Sequence, residues 1–312
     1  MALVWMTDSL GGYLTSPELS RNMRLRAQPR MRFRPLSTPE VSFGMHQGDV
    51  LQYTKVGDAD DGRVVAEDET VPTSNLTFSK DTVTAAEYTL GIDFSWRLDI
   101  LAKLDVYNNI IKALTNSMAR TLDKAAAAQF RSADLVYTPT GTASSPSYTL
   151  GTAGVALASA TRRFNMWDHM NVVDLMTGTY QIPFYDDVGY ASVGSTSFLR
   201  SFFEDERWER VVTPQNSGKF FRGEVGELYN CRFIRETNVL DNALAASNGE
   251  AIYIGSDAVL EITIYPEEIQ AKLGSDYGRD RGLRWVYYGA WKKTWDYSTD
   301  GVARMIRVHS LT

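Results

Sequence analysis

Between Leu98 and Ala133 the chain reads LDILAKLDVYNNIIKALTNSMARTLDKAAAAQFRSA, a stretch with no glycine and no proline. Leu104, Tyr107, Ile111, Leu114, Met118, Leu122 and Ala125 recur in steps of three and four, which places one apolar stripe along a helix. Asp99, Lys103, Asp105, Lys112, Arg120, Asp123 and Lys124 fall on the remaining faces. At ~1.5 Å per residue a continuous helix here is about 50 Å long. That exceeds the length usual inside a compact domain. The expectation is a spar on which separate subdomains hang, and everything else in the chain is arranged before or after it.

The other 276 or so positions bound the possibilities by elimination. Of 312 residues, 44% are hydrophobic and 22% charged, enough for a sizeable core in one elongated body or two domains. A formal net charge of −6 argues against tight, general nucleic-acid binding. Cys231 is the sole cysteine, so neither an internal disulfide nor a thiolate metal cluster can form. No apolar run approaches ~18 residues, the length of a membrane-spanning helix. The start, MALVWMTDSLGGYLTS, lacks the basic region and apolar core of a signal peptide, and a soluble protein made in the cytoplasm is expected.

Ahead of the spar lie two oppositely charged segments. Arg21, Arg24, Arg26, Arg30, Arg32 and Arg34 occupy a run without acids, kept extended by Pro29, Pro35 and Pro39. Three readings stand side by side: a solvated basic arm, an arm docked on an acidic patch of a neighbouring copy, and contact with nucleic-acid phosphate. Val50–Val56 then reads as a strand and runs into GDADDGRVVAEDETVPTSN, where Asp58, Asp60, Asp61, Glu67, Asp68 and Glu69 are relieved only by Arg63. The glycine and distal glutamate of a calcium loop are not at the required offsets. A second strand region, Leu76 to Trp96, alternates in part. Two strands around a polar excursion describe an extended hairpin with little core of its own, which must lie against something else, naturally another subunit.

Behind the spar, LVYTPTGTASSPSYTLGTAGVALASATRRF marks a change of subdomain by its turn-forming density. Asn165–Thr179 reads as a helix carrying Met166, Met170, Val173 and Met176. Phe198, Leu199, Phe202, Phe203 and Trp208 read as core or interface packing. Phe220–Thr237 reads as strand, glycine-marked turn, strand. Asn248-Gly249 reads as a tight turn before the apolar run Ala251–Ile254. LEITIYP is another strand, and AKLGSDYGRDRG a charged loop. The last strands, LRWVYYGAWKKTW and VARMIRVHS, flank a turn at Ser298–Gly301 and read as a terminal antiparallel hairpin.

The search for chemistry returns nothing. His46, His169 and His309 have no metal-binding spacing. Gly218-Lys219 lacks the upstream glycine of a phosphate loop, and neither GxGxxG nor GxSxG occurs. The acid pairs Asp186-Asp187 and Glu267-Glu268 are adjacent, so on a strand they point to opposite faces rather than at one glycosidic bond. Asn75-Leu76-Thr77 matches a glycosylation triplet without a secretion signal to give it meaning. No catalytic residue, cofactor or metal is expected.

Arm, acidic hairpin, spar, mixed α/β region and closing strands form an order that resembles the tailed-bacteriophage major capsid proteins of the Hong Kong 97-type fold, and within them the N4-like coat-protein family. The residues that carry the resemblance are GEVGELYNCRFIRETNVL (Gly223–Leu240), AIYIGSDAV (Ala251–Val259) and LRWVYYGAWKKTWDYSTDGVARMIRVHS. It implies an α+β Hong Kong 97-like capsid fold. Residues 1–40 would be the N-terminal arm, 41–96 the extended β-hairpin loop, and 97–160 a peripheral domain with its spine helix. Residues 161–260 would be the axial domain, and 261–312 a return to the peripheral domain ending in the terminal hairpin. It further implies a non-enzymatic coat protein that self-assembles as pentamers and hexamers into an icosahedral head in the virion. Its partners would be portal and scaffolding or decoration proteins, and packaged double-stranded DNA held by weak, non-specific contact, with no membrane. The short N-terminus leads us to expect no fused scaffolding segment. The twelve arginines and acids named above are the candidate inter-subunit contacts. An encapsulin-like compartment is the nearest alternative. A carbohydrate-active enzyme, prompted by seven Trp and sixteen Tyr, is the alternative of another class, and it requires two carboxyls facing each other across a cleft.

Overall fold

A computed structural model describes residues 32–40, 44–46, 48–57, 59–102, 105–156, 159–186, 189–204, 226–240, 248–273, 277 and 279–311. The expected single spar is two helices, α1 (Trp96–Leu101) and α2 (Val106–Arg131). Ala102 takes an extended conformation (φ −67°, ψ 136°), and Asp105 starts α2 by accepting the Asn108 N–H on its carboxylate. Asp is a strong N-cap, so the residue read as polar decoration of a helix begins one instead. The expected stripe is covered, and the buried face is wider than it. Leu114 and Leu122 are fully buried, and Ile111, Met118 and Ala125 pack half-buried on the same core. Val106, Ile110, Ala126 and Phe130 join them, whereas Tyr107 is exposed and Leu104 lies outside the described residues.

Two sheets share α2. In the first, β1 (Thr38–Pro39), β11 (Val259–Ala271), β12 (Asp280–Lys293) and β4 (Ala86–Ser95) lie side by side in that order. In the second, the order is β6 (Pro146–Gly151), β5 (Leu135–Gly141), β13 (Met305–Leu311), β10 (Asn248–Ile254), β7 (Tyr190–Gly194), β9 (Cys231–Arg235) and β8 (Gly226–Leu228). Trp285, Tyr287 and Trp291 of the first sheet join Leu114, Leu122 and Phe130 of α2 in one core, which continues into Val193, Ile252 and Ile254 of the second. The opposite face of the second sheet is covered by α3 (Met166–Asp174) and α4 (Thr196–Phe203), through Phe164, Val172, Phe198 and Tyr253. The expected helix at Asn165–Thr179 forms as α3, N-capped by Asn165, with a wider turn over Leu175–Thr179.

Two strand expectations are corrected. The closing hairpin does not exist: β12 pairs with β11 and β4, whereas β13 crosses to the second sheet and pairs with β10 and β5. The hairpin is β11–β12, and the charged loop expected between strands is its tip. Strands β5 and β6, in the stretch after α2 read as turn-rich, pair within the second sheet. Asn248-Gly249 is strand rather than turn, paired with Leu311 and Ser310. Glycine is needed there because a Cβ would lie 2.8 Å from the backbone of Phe198 in α4. Of the strand, glycine-marked turn and strand expected over Phe220–Thr237, residues 220–225 lie outside the described residues. From Gly226 onward the chain forms the β8–β9 hairpin, in whose turn Tyr229 and Asn230 both adopt positive φ (49° and 56°), the geometry of a tight two-residue hairpin turn.

Candidate assembly surfaces

The acidic excursion sits on a hairpin, β2 (Val50–Val56) paired antiparallel with β3 (Phe78–Thr84). Its root is fastened to the first sheet. Val83 and Ala85 pack on Leu260, Ile262 and Ala290. Lys55, only 7% exposed, reaches Asp300 at 2.7 Å and Asp81 at 3.3 Å, with its ammonium beside the rings of Tyr53 and Trp295. Lys292 binds Asp81 from the other side and the Thr82 carbonyl at 2.8 Å. Burial opposes ionisation of Asp81, but hydrogen bonds from Lys292, the Thr82 N–H and Lys55 overcome it and hold its carboxyl down at about 2. The Tyr53 phenol is pushed up, by burial first and by the neighbouring Asp81 charge second.

Beyond that root the hairpin covers nothing among the described residues. Every described residue from 59 to 80 is exposed except Val65. Val64 (97%), Val71, Leu76 and Phe78 present apolar surface among the acids. Of the predicted contact residues, Asp60, Asp61, Glu67 and Asp68 stand in solvent, Glu69 pairs with Arg63 at 2.6 Å, and Asp58 lies outside the described residues. The excursion is therefore a strip of unmatched negative charge and loose apolar side chains carried on a firmly held stem.

The arginine arm divides. Arg21, Arg24, Arg26 and Arg30 lie outside the described residues, and Arg32 is half-buried at their edge. Arg34, one of the candidate inter-subunit contacts, is engaged within its own chain. Its guanidinium binds Glu261 at 3.0 Å and Glu267 through two bonds of 3.0 Å, stacked over Tyr287. The segment around it is not a free arm either. Phe33 is fully buried against Phe130 (ring centroids 5.6 Å), Leu36 is buried, and Thr38–Pro39 extends the first sheet as β1. The anchor is Asp123 of α2, fully buried, which accepts the N–H groups of Phe33 (2.8 Å) and Arg34 (3.1 Å) and the Asn238 amide (3.4 Å). A carboxylate assigned to a polar face thus ties the arm, the spine and the bend after β9 together, an arrangement no local spacing reveals.

A second clamp joins spine to sheet: Glu250 of β10, fully buried, lies between Arg131 of α2 (3.0 Å) and Arg307 of β13 (2.6 Å). The groups that might have signalled chemistry are likewise structural. His169 is buried, with Nε2 3.1 Å from the Leu228 carbonyl and Nδ1 3.0 Å from the Tyr253 hydroxyl. The carbonyl can only accept, so Nε2 carries the hydrogen and Nδ1 accepts from Tyr253. Burial, against the Leu228 hydrogen bond, lowers this imidazole to about 4. Glu267 is held by Arg34 and Glu268 by Tyr265, so that acid pair faces no common cleft; Asp186 accepts the Gly189 N–H. Among the described residues no group of three or more His, Cys, Asp or Glu is placed to hold a metal, and no helix is long and apolar enough to cross a membrane.

A spine helix shared by a long-stranded sheet and a second, mixed sheet, with an arm anchored on the spine and a projecting hairpin, is the Hong Kong 97-like capsid fold. The capsid of Ralstonia phage GP4 superposes with a TM-score of 0.69 at 14% identity, covering 95% of each chain. The cyanophage Pam1 capsid gives 0.71 at 12% identity, over 95% of this chain and 96% of that one. The head of Helicobacter pylori bacteriophage KHP40 gives 0.69 at 12% identity over 95% of each. No curated protein sequence matches the chain. The phage capsid protein family matches residues 79–304, nearly three quarters of the chain, and the protein belongs to that family.

Proposed function

We propose that this chain is the major capsid protein of a tailed phage, assembling as pentamers and hexamers into the icosahedral head that encloses double-stranded DNA in the virion. The N4-like branch rests on the sequence resemblance. The observation that carries the reading is the β2–β3 hairpin, whose root is pinned by buried charge while residues 59–80 bury almost nothing. A stem held this firmly with so little to cover on its own chain fits a contact made to another copy. Its acids would meet positive charge on the neighbour, with the arm arginines Arg21, Arg24, Arg26 and Arg30 as one source. Such complementarity sets register and partner choice more than affinity. Many modest contacts in a closed shell then act together. The role is structural, without catalysis. Portal and scaffolding or decoration proteins complete the head, and DNA is held by weak, non-specific contact.

Negative-stain imaging with light scattering on the purified protein, with and without a crowding agent, tests this. Rings, sheets or shells are expected. A monomer that binds oligosaccharide would overturn the reading, and particles that take up protein cargo rather than DNA would turn it toward a compartment.

A further inference from the structure

Besides the spine, the chain passes between its two sheets by two short links that run side by side. Residues 255–258 lead from β10 of the second sheet to β11 of the first, and residues 294–304 return from β12 of the first to β13 of the second. The Gly255 N–H bonds the Arg304 carbonyl at 2.9 Å, and the Thr294 N–H bonds the Ala258 carbonyl at 3.1 Å, so the links are stitched to each other at both ends. Ser256 donates to the Pro183 carbonyl at 3.1 Å, which ties the joint to the loop before β7. Asp257 takes a left-handed conformation (φ 52°), one that surrounding contacts must hold in any residue but glycine. Its carboxylate faces the Arg304 guanidinium and accepts the indole N–H of Trp295, a group that can only donate. Trp295 thereby fastens one link to the other.

The hairpin has two different mountings. Strand β3 runs on through Ala85 into β4 and sits on the first sheet through Val83 and Ala85. Strand β2 leans on the joint instead. The Tyr53 hydroxyl lies 3.5 Å from the Thr294 carbonyl, and Lys55 binds Asp300 with its ammonium 5.6 Å from the centre of the Trp295 ring. The Arg304 guanidinium lies 5.5 Å from the centre of the same ring. One indole thus takes a cation from the hairpin, a cation from the joint and a carboxylate from the neighbouring link, each contact strengthened by partial burial. A cleft of about 850 Å³ is lined by Val56, Gly57 and Phe78 of the stem and by Tyr180 and Gln181, which leaves the stem room to tilt. At ~3.3 Å per residue Lys80 stands about 16 Å up the stem from Ala85, so a tilt of about 10° moves it by roughly 3 Å.

We propose that Trp295 is a positioning residue that couples the tilt of the hairpin to the joint between the two sheets. A change in the angle of the sheets moves the paired links, and Trp295 carries that movement to β2 through Lys55 while β3 stays with the first sheet. The two strands are pulled differently, and the stem tilts. The physical warrant is a packed element that two distant parts of the fold both bias, with the links acting as the hinge. The coupling belongs to the single subunit and does not depend on assembly. Within a shell of pentamers and hexamers it makes residues 59–77 follow the bend of the subunit that carries them.

The test reads the tilt as a distance within one full-length chain. Spin labels are placed at Lys80→Cys on β3 and Leu90→Cys on β4, both exposed, while native Cys231 is buried. Pulsed electron resonance is recorded with the labelled chain diluted in unlabelled protein, so the readings stand whether or not shells form. Gly255→Ala then drives a wedge into the joint, because its Cβ would collide with Ile182 and stand 2.7 Å from the Pro183 carbonyl. The expected result is a shifted mean distance in Gly255→Ala, and no shift when Gly255→Ala is added to Trp295→Leu. Should Gly255→Ala fail to fold, adding Ile182→Ala removes the nearest colliding side chain and keeps the wedge against the Pro183 carbonyl, with the same expectation. An unshifted distance in the folded wedge variant would overturn the coupling. A shift that persists in the Trp295→Leu background would route the coupling elsewhere and overturn the role of Trp295.

Discussion

Replacing Lys55 by Met removes the charge at the hairpin root while keeping an aliphatic stem between Tyr53 and Trp295. Lys55 is 7% exposed and Asp300 11%, so the carboxylate left behind is nearly dry. Stranding a fully buried charge costs about 3–5 kcal/mol. Two compensations lower that figure. Asp300 keeps the Asp296 N–H at 3.0 Å, and Asp81, a quarter exposed, keeps Lys292. We therefore expect about 2–4 kcal/mol, charged mainly to opening of the hairpin. Amide hydrogen exchange in β2 and β3 reads this directly, since local opening there sets the protection. At ~1.4 kcal/mol per tenfold, exchange should accelerate roughly 30- to 700-fold, with α2 unaffected. Adding Asp300→Asn removes the stranded charge and should recover at least half of the lost protection. An acceleration below about threefold would place the pair with ordinary exposed ion pairs, and the argument that buried charge holds the stem would fail.

Reversing Asp60 and Asp61 to Lys should abolish ring and shell formation in light scattering while far-ultraviolet circular dichroism stays unchanged; normal assembly would leave the acids merely solvated. Deleting residues 1–31 should preserve the urea midpoint and impair assembly. Deleting 1–39 also removes fully buried Phe33 and should destabilise the subunit by at least about 3 kcal/mol, so equal midpoints for the two truncations would refute the anchoring at Asp123. Acidification should act in two windows. His169 is disfavoured as a cation, so its share of stability is complete above 6.5 and lost as pH falls toward about 4, a loss that His169→Gln should flatten in denaturation curves. Asp81 is held low, so its share persists to about 3.8 and disappears toward about 2, seen as hairpin exchange with the rest of the fold protected. Gly249→Ala should cost about 1–3 kcal/mol through the clash with the Phe198 backbone, against nearly nothing if α4 simply shifts away.

The sequence by itself determined that this is an assembling α+β coat protein with a helical spine and a β hairpin that begins at Val50–Val56. Those features are periodic or compositional, so a local window suffices to read them: alternation makes β2, an Asn and an Asp three residues apart start α3, and a run of acids stays in water. Only the tertiary structure decided the rest. The helix was cut at Asp105 because that carboxylate caps one helix better than it decorates another. The last two strands parted because β13 completes the centre of a second sheet, where its Val308 and Ile306 are fully buried. Arg34 is engaged within its own chain because Glu261 and Glu267, more than two hundred positions away, are brought to it by the first sheet. Lys55 and Asp300 are separated by 245 positions, and nothing near either one announces the other. Buried charge is costly without a partner, and the partner is chosen by the packing of distant strands, which is information that a linear reading does not contain.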